Sequence, residues 1–350
     1  MHLPDPRRYL PPNARNPAIR LVMKQLAATD DAASSALALK HTLSDLLLAG
    51  DHASLNAALT QAPALEAAQA LWHSLRDIIE APAALNLFLI PVVLVAGVKG
   101  NATLPGELAD PDAITSLLRR HTVLDNEAPV WLARELVAAE ELAAVSPARL
   151  LHWRDDTTIA SLGLPSPLEL VPITLRDEGV FLRFIVGATS GPMPLNPRIG
   201  AWGLPLAELI GQQLATEGVT LFTIPRAPQG WLSALESGRT TLLETRLQHM
   251  TSNAVRGIRL KGRTPIATLA AHDNDEIRIT ISSQEDGERW YGFVWPLSPR
   301  DEVTAIERFA TELFVECQIS DIRIVPDLQP DLQDDLPFFV TAHAAPVQAD

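Results

Sequence analysis

After Trp153 the spacing of apolar side chains along this chain changes from every third and fourth residue to every second. A period near 3.6 puts one stripe of a helix in oil, and a period of 2 does the same for one face of a strand. The change therefore predicts an α+β protein. An N-terminal all-α helical domain (residues 18–153) is followed by an α+β domain with a mixed or antiparallel sheet (169–326).

In the first part Leu39, Leu43, Leu46 and Leu47 share a stripe, as do Leu65, Ala68, Trp72, Leu75 and Ile79. Leu132, Leu136, Ala139 and Leu142 predict a third helix. Gly50 fits a C-terminal cap, and Asp110-Pro111 fits an N-cap followed by proline at the first helical position. The apolar run 85–98 has 14 residues, short of the roughly 20 a membrane span needs, and Pro91 interrupts it. It reads as a buried segment of this helical part.

Beyond a polar, proline-punctuated linker (154–168), one string of elements occurs twice. Residues 169–225 predict strand 169–175, turn Asp177-Glu178-Gly179, strand 180–187, helix 204–216 and strand 220–224. Residues 276–326 predict strand 276–283, turn Glu285-Asp286-Gly287, strand 288–295, helix 300–317 and strand 321–325. Two tandem ββαβ units would account for this. Residues 230–253 between them predict one long helix or two broken at Gly238. Ile277, Ile279 and Ile281 alternate with Arg278, Thr280 and Ser282, which predicts one buried and one wet face. The aromatic run 290–295 carries large side chains at odd and even positions, as a central strand covered on both sides would. A Pro-rich arm (1–17) precedes the body, and an acidic extended tail (327–350) follows it.

With a formal charge of −14 over 350 residues, wholesale binding to phosphate backbones or anionic lipid is disfavoured. The single cysteine, Cys317, allows no intrachain disulfide; it reads as a small buried hydrophobe ending a helix. No phosphate loop, dinucleotide-binding glycine motif, zinc-protease motif or nucleophile elbow is present. No catalytic residue, cofactor or metal site is assigned on this reading.

The strongest positive signal is Arg256, Arg259, Lys261 and Arg263, four cations in eight residues with two glycines between. On an extended strand Arg259, Lys261 and Arg263 would share one face and could hold a phosphate, a carboxylate or an acidic peptide. The alternative is a solvated face, or pairing with the chain's own acidic tail. A second loop candidate is Thr189, Ser190 and Arg198, where hydroxyls and main-chain N–H groups could meet an anion, although three prolines keep the loop from running straight into a helix. The cluster from His272 to Glu276 reads as a hairpin turn.

The functional expectation is a non-catalytic cytoplasmic interaction module whose partner is another protein. The alternative is an enzyme or sensor that binds a small anionic ligand through 256–263. Nucleic-acid binding through the same segment comes third.

Overall fold

The structure is a computed structural model, and it describes residues 2–7, 16–27, 32–60, 62–155, 173–175, 178–192, 199–273, 275–283 and 291–329. Helices and antiparallel or mixed sheets both contribute, so the α+β class holds. The chain divides into two compact units: a larger one of Ala36–Leu55 and Trp72–Leu242, and a smaller one of Met1–Ser35, Asn56–Leu71 and Leu243–Asp350. No helix among the described residues is long and apolar enough to cross a membrane.

Four helices open the chain: α1 (Pro17–Ala27), α2 (Ala32–Leu48), α3 (His52–Thr60) and α4 (Leu65–Ile79). The cap expected at Gly50 forms. Gly50 takes φ +67° and donates to Leu47 O, and Asp51 N–H donates to Leu46 O, the paired bonds that close a helix C-terminus.

The segment 85–98, read as part of a helical domain, is instead strand β1 (Asn86–Val98). An unbroken apolar run rich in Ile and Val suits a strand buried on both faces, and β1 has a neighbour on each side. After it come β2 (Ala102–Leu104), α5 (Pro111–Arg120), β3 (Val130–Ala138), α6 (Ala139–Ala143) and α7 (Pro147–Asp155). Asp110 caps α5 as expected, accepting from Ala113 N–H at 3.0 Å. The third helical stripe is corrected as well: Leu132 and Leu136 lie on β3, and only Ala139 and Leu142 are helical. A separation of four is a multiple of 2 and close to 3.6, so spacing alone could not tell strand from helix.

The larger unit continues with β4 (Ile173–Leu175), β5 (Glu178–Thr189), a 3₁₀ turn at Ile199–Ala201, α8 (Gly203–Gln213) and β6 (Val219–Pro225). Its four-stranded sheet runs β3-β5-β1-β6 with every pair antiparallel. One face carries Phe88, Ile90, Val92, Leu94, Leu132 and Ile185, packed with Ile114 and Leu118 of α5 and with Leu206, Ile210 and Leu214 of α8. Pro91 is tolerated in the central strand because of where its missing donor falls. Its carbonyl accepts from Arg226 N–H at 2.8 Å, just past the end of β6, so the absent N–H faces that end and not the β5 ladder.

Helix α9 (Trp231–Leu260) is continuous through Gly238. A Cβ at Gly238 would stand 2.9 Å from the ring of buried Phe184 and 3.1 Å from Pro91 Cβ. Close approach of helix to sheet explains a glycine that costs about 1 kcal/mol in helix propensity.

The smaller unit contains β7 (Pro265–His272), β8 (Glu276–Ser283), β9 (Tyr291–Pro296), α10 (Val303–Glu316) and β10 (Asp321–Ile324), with strand order β10-β7-β8-β9. Ala267, Leu269, Ile277, Ile279, Ile281 and Trp295 pack with Leu247, Ala254 and Ile258 of α9 and with Ile306, Ala310 and Phe314 of α10.

The repeated string is present as a string but not as a repeated pairing. β4 pairs with β2 and not with β5, Glu178 and Gly179 lie inside β5, and β6 runs antiparallel to β1 while β10 runs parallel to β7. Strand β9, read as central, is an edge strand: Trp295 is buried while Tyr291 and Val294 are exposed. Asp177, the turn 285–287, Trp290, the linker beyond 155 and the tail beyond 329 lie outside the described residues.

Part of the N-terminal arm is tied down. Leu3 is buried in the core of the smaller unit, and its N–H donates to Glu307 Oε2 at 2.7 Å. Arg7 grips both Asp5 oxygens, at 2.8 and 2.6 Å, and donates to the carbonyls of Ser298 and Asp301. Partial burial pushes the Asp5 carboxyl up, but the bonds and charge of Arg7 outweigh it and hold its pKa below the ordinary value. Stability from this pair is therefore present above the ordinary Asp pKa of about 3.9 and is lost as pH falls through the lower folded-state value. Asp5→Asn is expected to lower the urea midpoint of the smaller unit at pH 7 and to leave it unchanged near pH 2. A deficit of equal size at both pH values would show that the Asp5 charge does not hold the arm.

Candidate functional site

Three places in the fold bear on function, beginning with the basic segment singled out above. Arg256 and Arg259 are not on a strand: α9 continues to Leu260 and ends in a paired-bond cap. Gly262, at φ +73°, donates to Arg259 O at 2.8 Å, and Arg263 N–H donates to Ile258 O at 3.3 Å. The helix brings Arg256 and Arg259, three residues apart, to one side of a hollow of about 540 Å³ that Ser252, Glu316 and Gln318 also line. Lys261 and Arg263 lie past the cap and do not line it. The exposed Arg259 guanidinium donates to the carbonyls of Cys317 and Gln318, at 3.0 and 2.9 Å, where α10 ends. A cation there answers the partial negative charge of a helix C-terminus. Cys317 is half-buried.

In the second loop candidate, Thr189 ends β5 and is buried, and its hydroxyl oxygen accepts from Gly191 N–H at 3.1 Å. Ser190 N–H donates to Pro129 O at 3.3 Å. Both therefore have local roles, and Arg198 lies outside the described residues.

The second place is a hollow of about 430 Å³ in the larger unit, lined by Glu80, Asn86, Arg154, Gln229, Trp231 and Ser233 among others. Glu80 meets the N-terminus of α9: Ser233 donates to it from both N–H and hydroxyl at 2.7 Å. Arg154 meets the C-terminus of α4 and donates to Ile78 O at 2.8 Å. An anion at one helix start and a cation at another helix end complement the two dipoles, so these charges serve the fold at the rim of the hollow.

The third place is strand β6, where sequence reasoning assigned no function. Its side chains alternate: Val219, Leu221 and Thr223 are half-buried, while Thr220, Phe222 and Ile224 are exposed, Phe222 to 65% and Ile224 to 37%. Thr223 Oγ1 donates to Ala207 O at 2.7 Å, which fixes the first set toward α8. Among the described residues no strand lies beyond β6. Parity then assigns the backbone. Arg226 bonds to Pro91, so the antiparallel register makes Ile224, Phe222 and Thr220 the residues that exchange bonds with β1. Leu221 and Thr223 aim their N–H and C=O groups outward.

Two of the other edges are guarded. β3 carries Arg134 and Glu135 and a register shift between Leu132 and Leu136, and β10 carries the Asp321–Arg323 pair at 2.8 Å. Charges and bulges are the usual protection against edge pairing. From Val219 to Pro225 there is no charged residue at all. The alternation along TLFTIP was visible in the sequence; its exposed edge position was not.

No protein-family model, no curated protein and no solved structure matches this chain. The functional reading therefore rests on geometry.

Proposed function

We propose that this chain is a protein-interaction module that receives a partner strand on the outer edge of β6. The observation that carries the reading is the combination of outward Leu221 and Thr223 backbone groups with the exposed Phe222 and Ile224 on an uncharged edge. Strand addition draws affinity from main-chain bonds and specificity from alternate side chains. An apolar edge without guards is otherwise an aggregation hazard.

A photo-crosslinking amino acid at position 222 of the full chain, irradiated in the producing cells, tests this. One discrete adduct is expected. It should disappear when Leu221→Pro removes the outward donor, a change that leaves the β1 ladder intact. No adduct, or an adduct indifferent to Leu221→Pro, would overturn the reading.

The second reading is a small anion held by Arg256, Arg259 and Ser252 in the hollow at the end of α9. It is favoured by the concavity and the two guanidiniums. It is opposed by Glu316 in the same lining and by the prior engagement of Arg259.

A further inference from the structure

The chemistry of the β6 edge also selects its occupant, an inference that rests on the docking reading just given. Two strands that add edge to edge need complementary hydrogen-bonding groups, compatible faces and no like charges brought together. β6 meets all three conditions with itself. In an antiparallel pairing centred on Phe222, Leu221 of one copy faces Thr223 of the other and Thr223 faces Leu221. The outward N–H and C=O groups of both residues are then engaged on both strands. Val219 N–H makes no demand on the pairing, because it already donates to Thr216 O at 3.2 Å.

The same register sets Phe222 opposite Phe222 at a non-hydrogen-bonded position, where side chains come closest, and Thr220 opposite Ile224. All three residues lie on the exposed face. Most of this chain resists self-association, since its net charge is −14. β6 itself carries no charge to oppose it. Its neighbours Glu217 and Arg226 are of opposite sign and flank the strand at its two ends. An antiparallel pairing centred on Phe222 places the acidic flank of one copy toward the basic flank of the other. Edge strand β9 offers no such match: its six residues include Gly292 and end on Pro296.

We propose that the partner strand on β6 is β6 of a second copy, joining two four-stranded sheets across a two-fold axis through Phe222. The register is what makes this testable. In a Cys317→Ser background, which removes the chain's only native thiol, Phe222→Cys should form a disulfide-linked dimer under oxidised glutathione, because facing non-hydrogen-bonded positions lie within disulfide reach. Thr220→Cys alone should give none. Thr220→Cys mixed with Ile224→Cys should give the mixed dimer.

By light scattering the unmodified chain is expected to approach twice its 38.0 kDa mass as concentration rises. Phe222→Lys, a change at an exposed position that circular dichroism can confirm as folded, should weaken dimerisation at least about tenfold by setting two like charges face to face. Monomeric mass at every attainable concentration, with no Phe222→Cys dimer, would overturn the second-copy assignment. If the photo-adduct at 222 then contains a different chain, edge docking stands and only its occupant is wrong. If there is no adduct either, both fall. Equal disulfide yields from Phe222→Cys and Thr220→Cys would overturn the register.

Discussion

Replacing Phe88 by alanine is expected to cost the larger unit about 3–5 kcal/mol, the range for truncating a fully buried aromatic ring. Phe88 is wholly buried on β1, the strand to which both β5 and β6 are laddered. Its position depends on a glycine. Gly187 of β5 stands opposite Phe88 on one side and opposite Leu132 of β3 on the other. A Cβ built on Gly187 would fall 2.6 Å from Phe88 Cε2 and 2.7 Å from Leu132 Cδ2. The ring lies over the space where that carbon would be. Gly187→Ala should therefore push the ring out of its slot and cost about 1–3 kcal/mol by overpacking. In the Phe88→Ala background the ring no longer obstructs and only Leu132 Cδ2, the far end of a flexible side chain, stands in the way, so the same Gly187→Ala change should cost clearly less. The double-mutant cycle should show a coupling of about 1 kcal/mol or more, read from urea unfolding of the four proteins. Additive penalties would mean that the glycine is present for some reason other than the ring.

Where spacing and chemistry agree locally, the fold could be read from residues alone. Gly50 and Asp110-Pro111 end and start helices because a positive φ and a side-chain acceptor are needed there and few residues supply them. The run around Val92 and Val93 has no period, since both faces of β1 are covered, and it passed for buried helix. Leu132 and Leu136 fit two periods at once. Arg259, Lys261 and Arg263 alternate as a strand would, yet α9 runs on to Leu260 through Gly257, because Ala254, Val255 and Ile258 continue the buried side of the helix. None of these local signals says which strand becomes an edge. β6 is an edge because β1, more than a hundred residues earlier, pairs on its other side. The candidate docking edge therefore depends on pairing across long sequence separations, and no short motif announces it.

The alternation of Ile277, Ile279 and Ile281 with Arg278, Thr280 and Ser282 correctly divided β8 into two faces, but the polar face is not wet: Glu276, Arg278, Thr280 and Ser282 are all buried, as are Thr268 and His272 of β7 beside them. Periodicity reports which residues share a face and is silent on what covers it. Burying such a face is costly unless its groups are paired, and the central pair is Arg278 Nε donating to Glu276 Oε1. Glu276→Ala is expected to cost the smaller unit about 3–5 kcal/mol, because the buried Arg278 guanidinium would lose the Glu276 carboxylate it donates to. Glu276→Leu with Arg278→Met removes both charges and fills similar volume, so it should fall within about 1 kcal/mol of the parent or exceed it. The two variants together separate a structural pair from a functional one. If the double replacement leaves both urea stability and dimer mass unchanged, the pair serves neither the fold nor the β6 interface and is free to answer to another task. If the double replacement is as damaging as Glu276→Ala alone, the charges themselves hold the polar face together, and the desolvation argument is wrong for this sheet.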